Sequence, residues 1–395
     1  MSNSFKTFLK HTAKDFHNQA VNPPIVRAST IIFKSMGDIR KMQNKAKSDP
    51  TGGHFDYGRQ GTSTTHVLQK ILSKLEESYH TFLTPTGFGA VFLAIFSVTR
   101  PGDEIIVADP VYSPTRILSQ DFLKEFNIKT TFYNPHDLKT LENSITKKTK
   151  LIFVENPGSN TFEFQDIGKV VSIAKKHKIL TAIDNTWATP YFLKPIKLGF
   201  DMAIVSATKY YSGHSDVMGG SLAVNKKVFK QVLKTEKITG LRLGPDDAYL
   251  ITRGLRTLDV RLDRHRENAK KVSNFLSKFK NIKLLYPYKK NSLNFRMWKK
   301  YYSGASGLMG LKIKAKSKQS VIKFVNNLKL FGHGYSWGGF ESLAILQDLR
   351  KATEYTKGRQ YYRFGKDEHI VRLHIGLEDP KDLILDLKNS LRKIK

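Results

Sequence analysis

Residues 201–215 read DMAIVSATKYYSGHS, and the reading of the chain turns on the lysine inside them, Lys209. The run Ala203, Ile204, Val205 predicts a buried strand, and Lys209 follows it directly, among the small hydroxyl residues Ser206, Thr208, Ser212 and Ser215. Lysines avoid the interior because an ammonium is costly to desolvate. An amine at the end of a buried strand can instead give up its proton, and a neutral amine condenses with aldehydes. Hydroxyls and backbone N–H groups beside it suit a phosphate.

Working outward, strand and helix patterns alternate. Apolar residues at helical spacing over Thr64–Glu77 predict a helix, as do Pro114–Phe126, with proline in the first turn, and Asp166–His177, with Asp166 as cap. Glu104–Ala108, Lys150–Val154, Ile179–Ile183 and Met202–Val205 predict strands. The alternation predicts an α/β fold on a mainly parallel sheet. In such folds sites form where strands end. Thr86-Gly87-Phe88-Gly89, between an apolar turn and the apolar run Ala90–Val98, predicts a helix start open to an anion, with Ser206 and Thr208 as further donors. Asp184 closes the strand before Lys209, 209 − 184 = 25 residues earlier, about one crossover away. A carboxylate there can keep a pyridine nitrogen protonated. Aldehyde, phosphate and protonated ring together are the attributes of pyridoxal phosphate.

Composition narrows the remaining classes. The 395 residues, 40% hydrophobic, suffice for two domains. Residues 1–60, polar and irregular, predict an extended arm. Residues 61–255 predict the cofactor domain and 256–395 a C-terminal domain. A long helix from Pro245 to about Phe279, broken near Gly254, links the two, and a terminal helix spans Pro380–Lys393. There is no cysteine, hence no disulfide and no thiolate chemistry, and the histidines show no metal-ligand spacing. No leader-like or membrane-spanning apolar run occurs, so the expectation is a soluble cytoplasmic protein without a membrane partner. The formal charge is +32, with 66 Lys+Arg against 34 Asp+Glu. The lysines are scattered without a basic tail or a nucleic-acid motif, so a Lys-rich surface is favoured over a nucleic-acid partner.

The stretch around Lys209 resembles the lysine signature of the Cys/Met-metabolism family of pyridoxal-phosphate enzymes, with Tyr211 where an aliphatic residue is usual. The resemblance extends from about Asn22 to the C-terminus. It implies fold type I, aspartate-aminotransferase-like, with a mainly parallel seven-stranded sheet in the large domain and a smaller C-terminal α/β domain. It implies Lys209 as the cofactor-bearing catalytic base, Asp184 at the ring nitrogen, and Gly87, Phe88, Ser206 and Thr208 around the phosphate. Tyr112, in Ala108-Asp109-Pro110-Val111-Tyr112, would stack on the ring and take a catalytic part. The arm segment Phe55-Asp56-Tyr57-Gly58-Arg59-Gln60-Gly61-Thr62 resembles the family's tyrosine–arginine segment, although Ser63 replaces the usual proline. Tyr57 and Arg59 would then reach the phosphate of a neighbouring subunit, in a homotetramer built as a dimer of dimers with shared sites.

At the substrate end, Arg372 lies in the alternating run Ile370–Gly376, where an arginine among apolar residues calls for an anion. The resemblance makes it the clamp for an amino acid's α-carboxylate. It adds Ser336 and Trp337 from the SWGGFES segment, with Asn156 and Tyr57, as substrate contacts. The run Glu155-Asn156-Pro157-Gly158-Ser159-Asn160-Thr161-Phe162-Glu163 is most similar to the bacterial cystathionine β-lyases of the family. These split cystathionine into homocysteine, pyruvate and ammonia in methionine biosynthesis. γ-Synthases, γ-lyases and methionine γ-lyases need the same lysine, aspartate and arginine, so residue types alone leave the choice open. Gly334-Tyr335-Ser336-Trp337-Gly338 also matches the G-x-S-x-G elbow of hydrolases, with Asp348 or Asp367 and His369 or His374 in the required order. The neighbouring residues do not predict the strand before it or the helix after it, and the hydrolase reading is disfavoured.

Overall fold

The first-half strands are β1 (His80–Thr84), β2 (Glu104–Ala108), β3 (Lys129–Tyr133), β4 (Thr149–Glu155), β5 (Leu180–Asp184), β6 (Met202–Val205) and β7 (Gly220–Val224). They form one seven-stranded sheet of order β1-β7-β6-β5-β4-β2-β3. These assignments come from a computed structural model, which describes residues 4–12, 19–287, 290, 292–347, 349, 359–362, 364–365 and 367–394. Pairs β3–β2, β2–β4, β4–β5 and β5–β6 are parallel, and only β7 runs against its neighbours. Leu151, Ile152, Phe153 and Val154 of β4 are buried, as are all four residues of β6. Continuous rather than alternating burial is what helices on both faces of a parallel sheet require.

Helix boundaries follow local chemistry. Asp166 caps the helix Ile167–Lys176 by accepting from the Lys169 N–H at 3.1 Å. Asn225 does the same for Lys226–Thr239, which ends on Gly240 in the left-handed region. The predicted linking helix is two helices, Pro245–Leu255 and Leu258–Leu276. The break falls after Gly254, at Arg256–Thr257. Gly254 itself is helical, and a glycine is required there because the backbone of another segment comes close: a Cβ would lie 2.4 Å from the carbonyl oxygens of Tyr211 and Ser212.

The second sheet is antiparallel, of order β10-β11-β9-β8, from β8 (Ile282–Leu285), β9 (Leu308–Lys314), β10 (Leu343–Gln347) and β11 (Glu368–His374). Helix Leu258–Leu276 packs on β8 and Lys318–Asn326 on β10, and both touch the terminal helix Pro380–Leu391.

Three expectations need correction. Residues 1–60 are not an irregular arm throughout, since Phe5–Lys10 and Met36–Ser48 are helical. The second is capped by Ser35 and buries none of its residues, although Met36, Ile39, Met42 and Ala46 keep a helical spacing. The segment before Thr86 is strand β1, not a turn. Strands β3 and β7 also went unpredicted: β3 is a sheet edge with three of five residues at least partly exposed, and β7 opens on a glycine pair. Among the described residues, no helix is long and apolar enough to cross a membrane.

Candidate active site

Strands β1, β2, β4, β5 and β6 all run the same way, so their carboxyl ends meet along one edge of the sheet. Lys209 sits in the turn after β6. That turn closes on itself through Lys209 N–H to Ser206 O (3.1 Å) and Gly213 N–H to Lys209 O (2.9 Å). Arg261, buried on the long helix, donates to the carbonyls of Tyr210 (2.8 Å) and Gly254 (2.7 Å) and fixes the turn from below. The unusual Tyr211 is fully buried, and its hydroxyl donates to Glu76 Oε1 at 3.1 Å. Burial pushes the Glu76 carboxyl up to about 8, so at neutral pH it is mostly a protonated acid.

The Lys209 amine lies 2.5 Å from Ser336 Oγ and 5.5 Å from the centre of the Trp337 ring. Burial pulls the amine down to about 8. The positive charge of Arg372 acts in the same direction, and Asp184 opposes both. Asp184 accepts from the Thr186 N–H at 2.9 Å. Its burial raises it above the usual carboxylate range, against the Thr186 bond and the Lys209 charge. Arg372, on β11, donates to the Ser336 carbonyl at 3.1 Å. Burial depresses it, while the nearby phenols of Tyr112 and Tyr335 favour its charged form.

The Ser336 loop is pressed onto the lysine. Ser336 holds a left-handed φ of 76°, and a Cβ on Gly338 (φ 92°) would lie 2.9 Å from the Lys209 carbonyl carbon. No strand leads into residues 334–338, and strand β10 follows instead of a helix, which removes the hydrolase elbow. Asp348 lies outside the described residues.

Beside the lysine, helix Gly87–Val98 begins at Thr86, whose hydroxyl accepts from Gly89 N–H at 2.9 Å. A Cβ on Gly87 would lie 2.4 Å from Ser206 Oγ. The helix start and the serine hydroxyl thus form a cradle that any side chain would fill, which suits a phosphate. Phe88 is part-exposed in the first turn of that helix. Thr208 bonds Gly219 instead, accepting from its N–H at 2.9 Å. A desolvated amine, an anion cradle and a buried carboxylate on one edge fit pyridoxal phosphate.

Tyr112 is 47% exposed, and its N–H donates to Glu155 Oε2 at 2.6 Å. Partial burial raises its phenol, and Glu155 adds to that. Sequence reasoning assigned Glu155 no role, yet it pairs in register with Asp184 across β4 and β5. Burial and the Asp184 charge hold its carboxyl far above the usual range. An acidic residue closing an apolar strand was the available signal, the same one that marked Asp184. Next to it, Asp109 bonds Arg116, both being buried, and accepts from the N–H groups of Gln360 (2.9 Å) and Tyr361 (3.1 Å).

Asn156 turns elsewhere. It donates to the Tyr302 hydroxyl at 2.6 Å and accepts from Gln165 N–H at 2.9 Å. Tyr57 and Arg59 are exposed and lie at the end of helix Lys226–Thr239, where Arg59 donates to the Lys237 carbonyl at 3.0 Å. Lys209, Asp184, Arg372, Ser336, Trp337 and Tyr112 therefore come together, with Gly87, Phe88, Ser206 and Thr208 beside them.

Known proteins resemble this chain over nearly its full length. A family model described as Cys/Met metabolism PLP-dependent enzyme matches residues 6–392. A putative cystathionine beta-lyase of Rhizobium johnstonii is 35% identical, with 98% of this chain and 95% of the relative covered. An L-alanine/L-glutamate racemase of Wolbachia pipientis is 34% identical, with 95% and 93% covered. The crystal structure of a cystathionine gamma synthase from Xanthomonas oryzae superposes with a TM-score of 0.90 at 28% identity, covering 100% of this chain and 99% of that one.

Proposed function

The chain belongs to the Cys/Met-metabolism family of pyridoxal-phosphate-dependent enzymes, and from that premise we propose that it cleaves the β-carbon–sulfur bond of L-cystathionine. The products are homocysteine, pyruvate and ammonia, with one water consumed. The observation that carries the reading is the Lys209 amine, drawn to about 8 in a site that also holds Asp184 and Arg372. The β-elimination is supported by the proline–glycine–serine run at 157–159 and by relatives named cystathionine beta-lyase from several bacteria.

Lys209 would hold the cofactor by its amine. Gly87, Phe88, Ser206 and Thr208 would face the phosphate, Asp184 the ring nitrogen and Tyr112 the ring face. Tyr57 and Arg59 of a second copy would complete the phosphate site, in a cytoplasmic tetramer made of two such dimers. When bound, pyridoxal phosphate supplies an aldehyde carbon for amines and a ring that withdraws electrons from a substrate's α-carbon.

The chain's own groups do the rest. Arg372 holds the α-carboxylate in its planar fork, and the Ser336 carbonyl fixes one arm of that fork. The free Lys209 amine is partly neutral near pH 7.5, so it can remove the α-proton and later return one. Ser336 Oγ, 2.5 Å away, steers the amine. The Trp337 ring excludes water on that side. Tyr112 keeps its phenol protonated, able to give a proton to the departing sulfur. Asn156 would contribute by holding the Glu155–Pro157 turn through Tyr302 and Gln165.

The purified protein, supplied with pyridoxal phosphate and cystathionine, is expected to release pyruvate. Formation of 2-oxobutyrate alone would assign γ-elimination and overturn the β-lyase reading. Loss of optical activity from alanine or glutamate, with cystathionine left intact, would overturn it in favour of racemisation.

A further inference from the structure

The turn that carries Tyr57 and Arg59 rests on a part-buried ion pair with no part in the chemistry above. Glu236 lies in the last turns of helix Lys226–Thr239 and is 1% exposed. Its Oε2 pairs with Arg242 Nη2 in the segment just beyond the helix. The other arm of the guanidinium, Nη1, donates to the carbonyl of Gln60. Arg59 donates to the carbonyl of Lys237, one residue after Glu236, at 3.0 Å. The three-residue turn Gly58–Gln60 is therefore tied to one helix terminus at two points.

A third constraint acts from the opposite side. Gly58 N–H donates to Ser29 O at 3.0 Å, and a Cβ on Gly58 would lie 1.8 Å from the Ala28 carbonyl oxygen. The turn is pinched between the arm and the Arg242 fork, with Tyr57 and Arg59 held outward. The Arg59 guanidinium sits 5.6 Å from the Tyr57 ring centre. A buried Glu–Arg pair adds little net stability compared with apolar residues of the same volume, and in some proteins such pairs serve specificity instead. Here each arm of the Arg242 fork has one job: one neutralises Glu236, the other locks a backbone carbonyl of the turn.

We propose that Arg242, held by Glu236, is a positioning residue that presents Arg59 and Tyr57 to the phosphate of the cofactor bound by a second copy of this chain. The proposal rests on the reading that these two side chains reach that phosphate. Neither Arg242 nor Glu236 touches the cofactor. Their effect passes through the Gln60 carbonyl to the Arg59 backbone.

The test compares pyridoxal phosphate with pyridoxal, which lacks the phosphate, by equilibrium titration of the bound-cofactor absorption band. Arg59→Ala is expected to weaken pyridoxal phosphate by about tenfold or more, the loss of a charge-assisted contact, and to leave pyridoxal unchanged. Arg242→Met is expected to weaken pyridoxal phosphate severalfold, leave pyridoxal unchanged, and add nothing on the Arg59→Ala background. Arg242→Lys keeps the charge beside Glu236 but loses the two-armed fork. It is expected to show the same phosphate-selective loss, and it carries the test should the methionine variant not fold. If Arg59→Ala weakens pyridoxal phosphate while the Arg242 variants do not, or if they weaken both ligands equally, the positioning role is wrong. If Arg59→Ala itself has no effect, the shared-phosphate reading fails instead.

Discussion

In the cofactor-free protein, Lys209 is expected to react with amine-directed reagents as no other lysine among the described residues does. Its amine stands at about 8, against 10.5 for an ordinary lysine. At pH 7.5 about a quarter of it is neutral, compared with about 0.1% for an ordinary lysine, an advantage of about 200-fold in reactive amine. The assay is trace labelling from pH 6 to 11, with peptide mapping to follow position 209 against the surface lysines. Two variants test the cause. Arg372→Leu removes a positive neighbour and moves the midpoint upward, whereas Asp184→Asn removes a negative one and moves it downward. The same displacement sets a stability difference. Folding holds the amine in a partly dry place that disfavours its charge, so Lys209→Met is expected to stabilise the cofactor-free protein below pH 8. The gain is on the order of 3 kcal/mol before allowance for water still reaching the amine. Between about pH 8 and 10.5 the unfolded chain binds the proton and the folded one does not, so wild-type stability rises with pH and the advantage of methionine fades. A Lys209 midpoint at the position of the other lysines, unmoved by both variants, would refute the argument that burial activates this amine.

Three further outcomes follow from groups around the site. Glu76→Gln is expected to gain stability over wild type progressively from pH 4.5 to about 8 and to hold that gain above it, because folding raises this carboxyl and wild-type stability falls across that window; parallel thermal melts read the difference. Asp109→Ala strands the buried Arg116 guanidinium and should cost about 3 kcal/mol or more in urea unfolding, with Asp109→Asn milder. Gly87→Ala pushes a methyl against Ser206 Oγ and should weaken pyridoxal phosphate binding; adding Ser206→Gly eases the clash, leaving Cα at 3.0 Å, but does not restore the affinity, because the hydroxyl donor is gone.

The strands legible in the sequence are those with apolar runs; continuous burial alone was not enough, since β1 and β7 are buried throughout but carry histidine, threonine, glycine and serine. β2, β4 and β6 carry unbroken apolar runs and β5 one interrupted only by Thr181, and Asp166 and Pro245 mark helix starts by their own chemistry. β3 escaped because three of its five residues are at least partly exposed, and helix Met36–Ser48 because its stripe of Met36, Ile39, Met42 and Ala46 is short and set among polar residues. The same logic divides the site. Lys209 and Asp184 stood out as polar residues ending apolar strands, and Arg372 as a cation within one. Glu155 met that criterion too, but lay inside a run read for its resemblance to relatives rather than for its burial. Arg242 and Glu236 could not be read at all: a Lys- and Arg-rich chain hides one paired arginine among 66 basic residues, and only the folded chain shows which of them meets a buried glutamate.

The hydrogen bond between Lys209 and Ser336 spans 127 residues of chain. A ribosome that has just released position 209 has made the strand beneath the amine but neither the loop nor the arginine that lie over it. Until the antiparallel sheet docks, neither Ser336 nor Arg372 lies against that amine. A chain ending before Ser336 would lack both the loop and the arginine over the amine, and its Lys209 is expected to react more like an ordinary lysine.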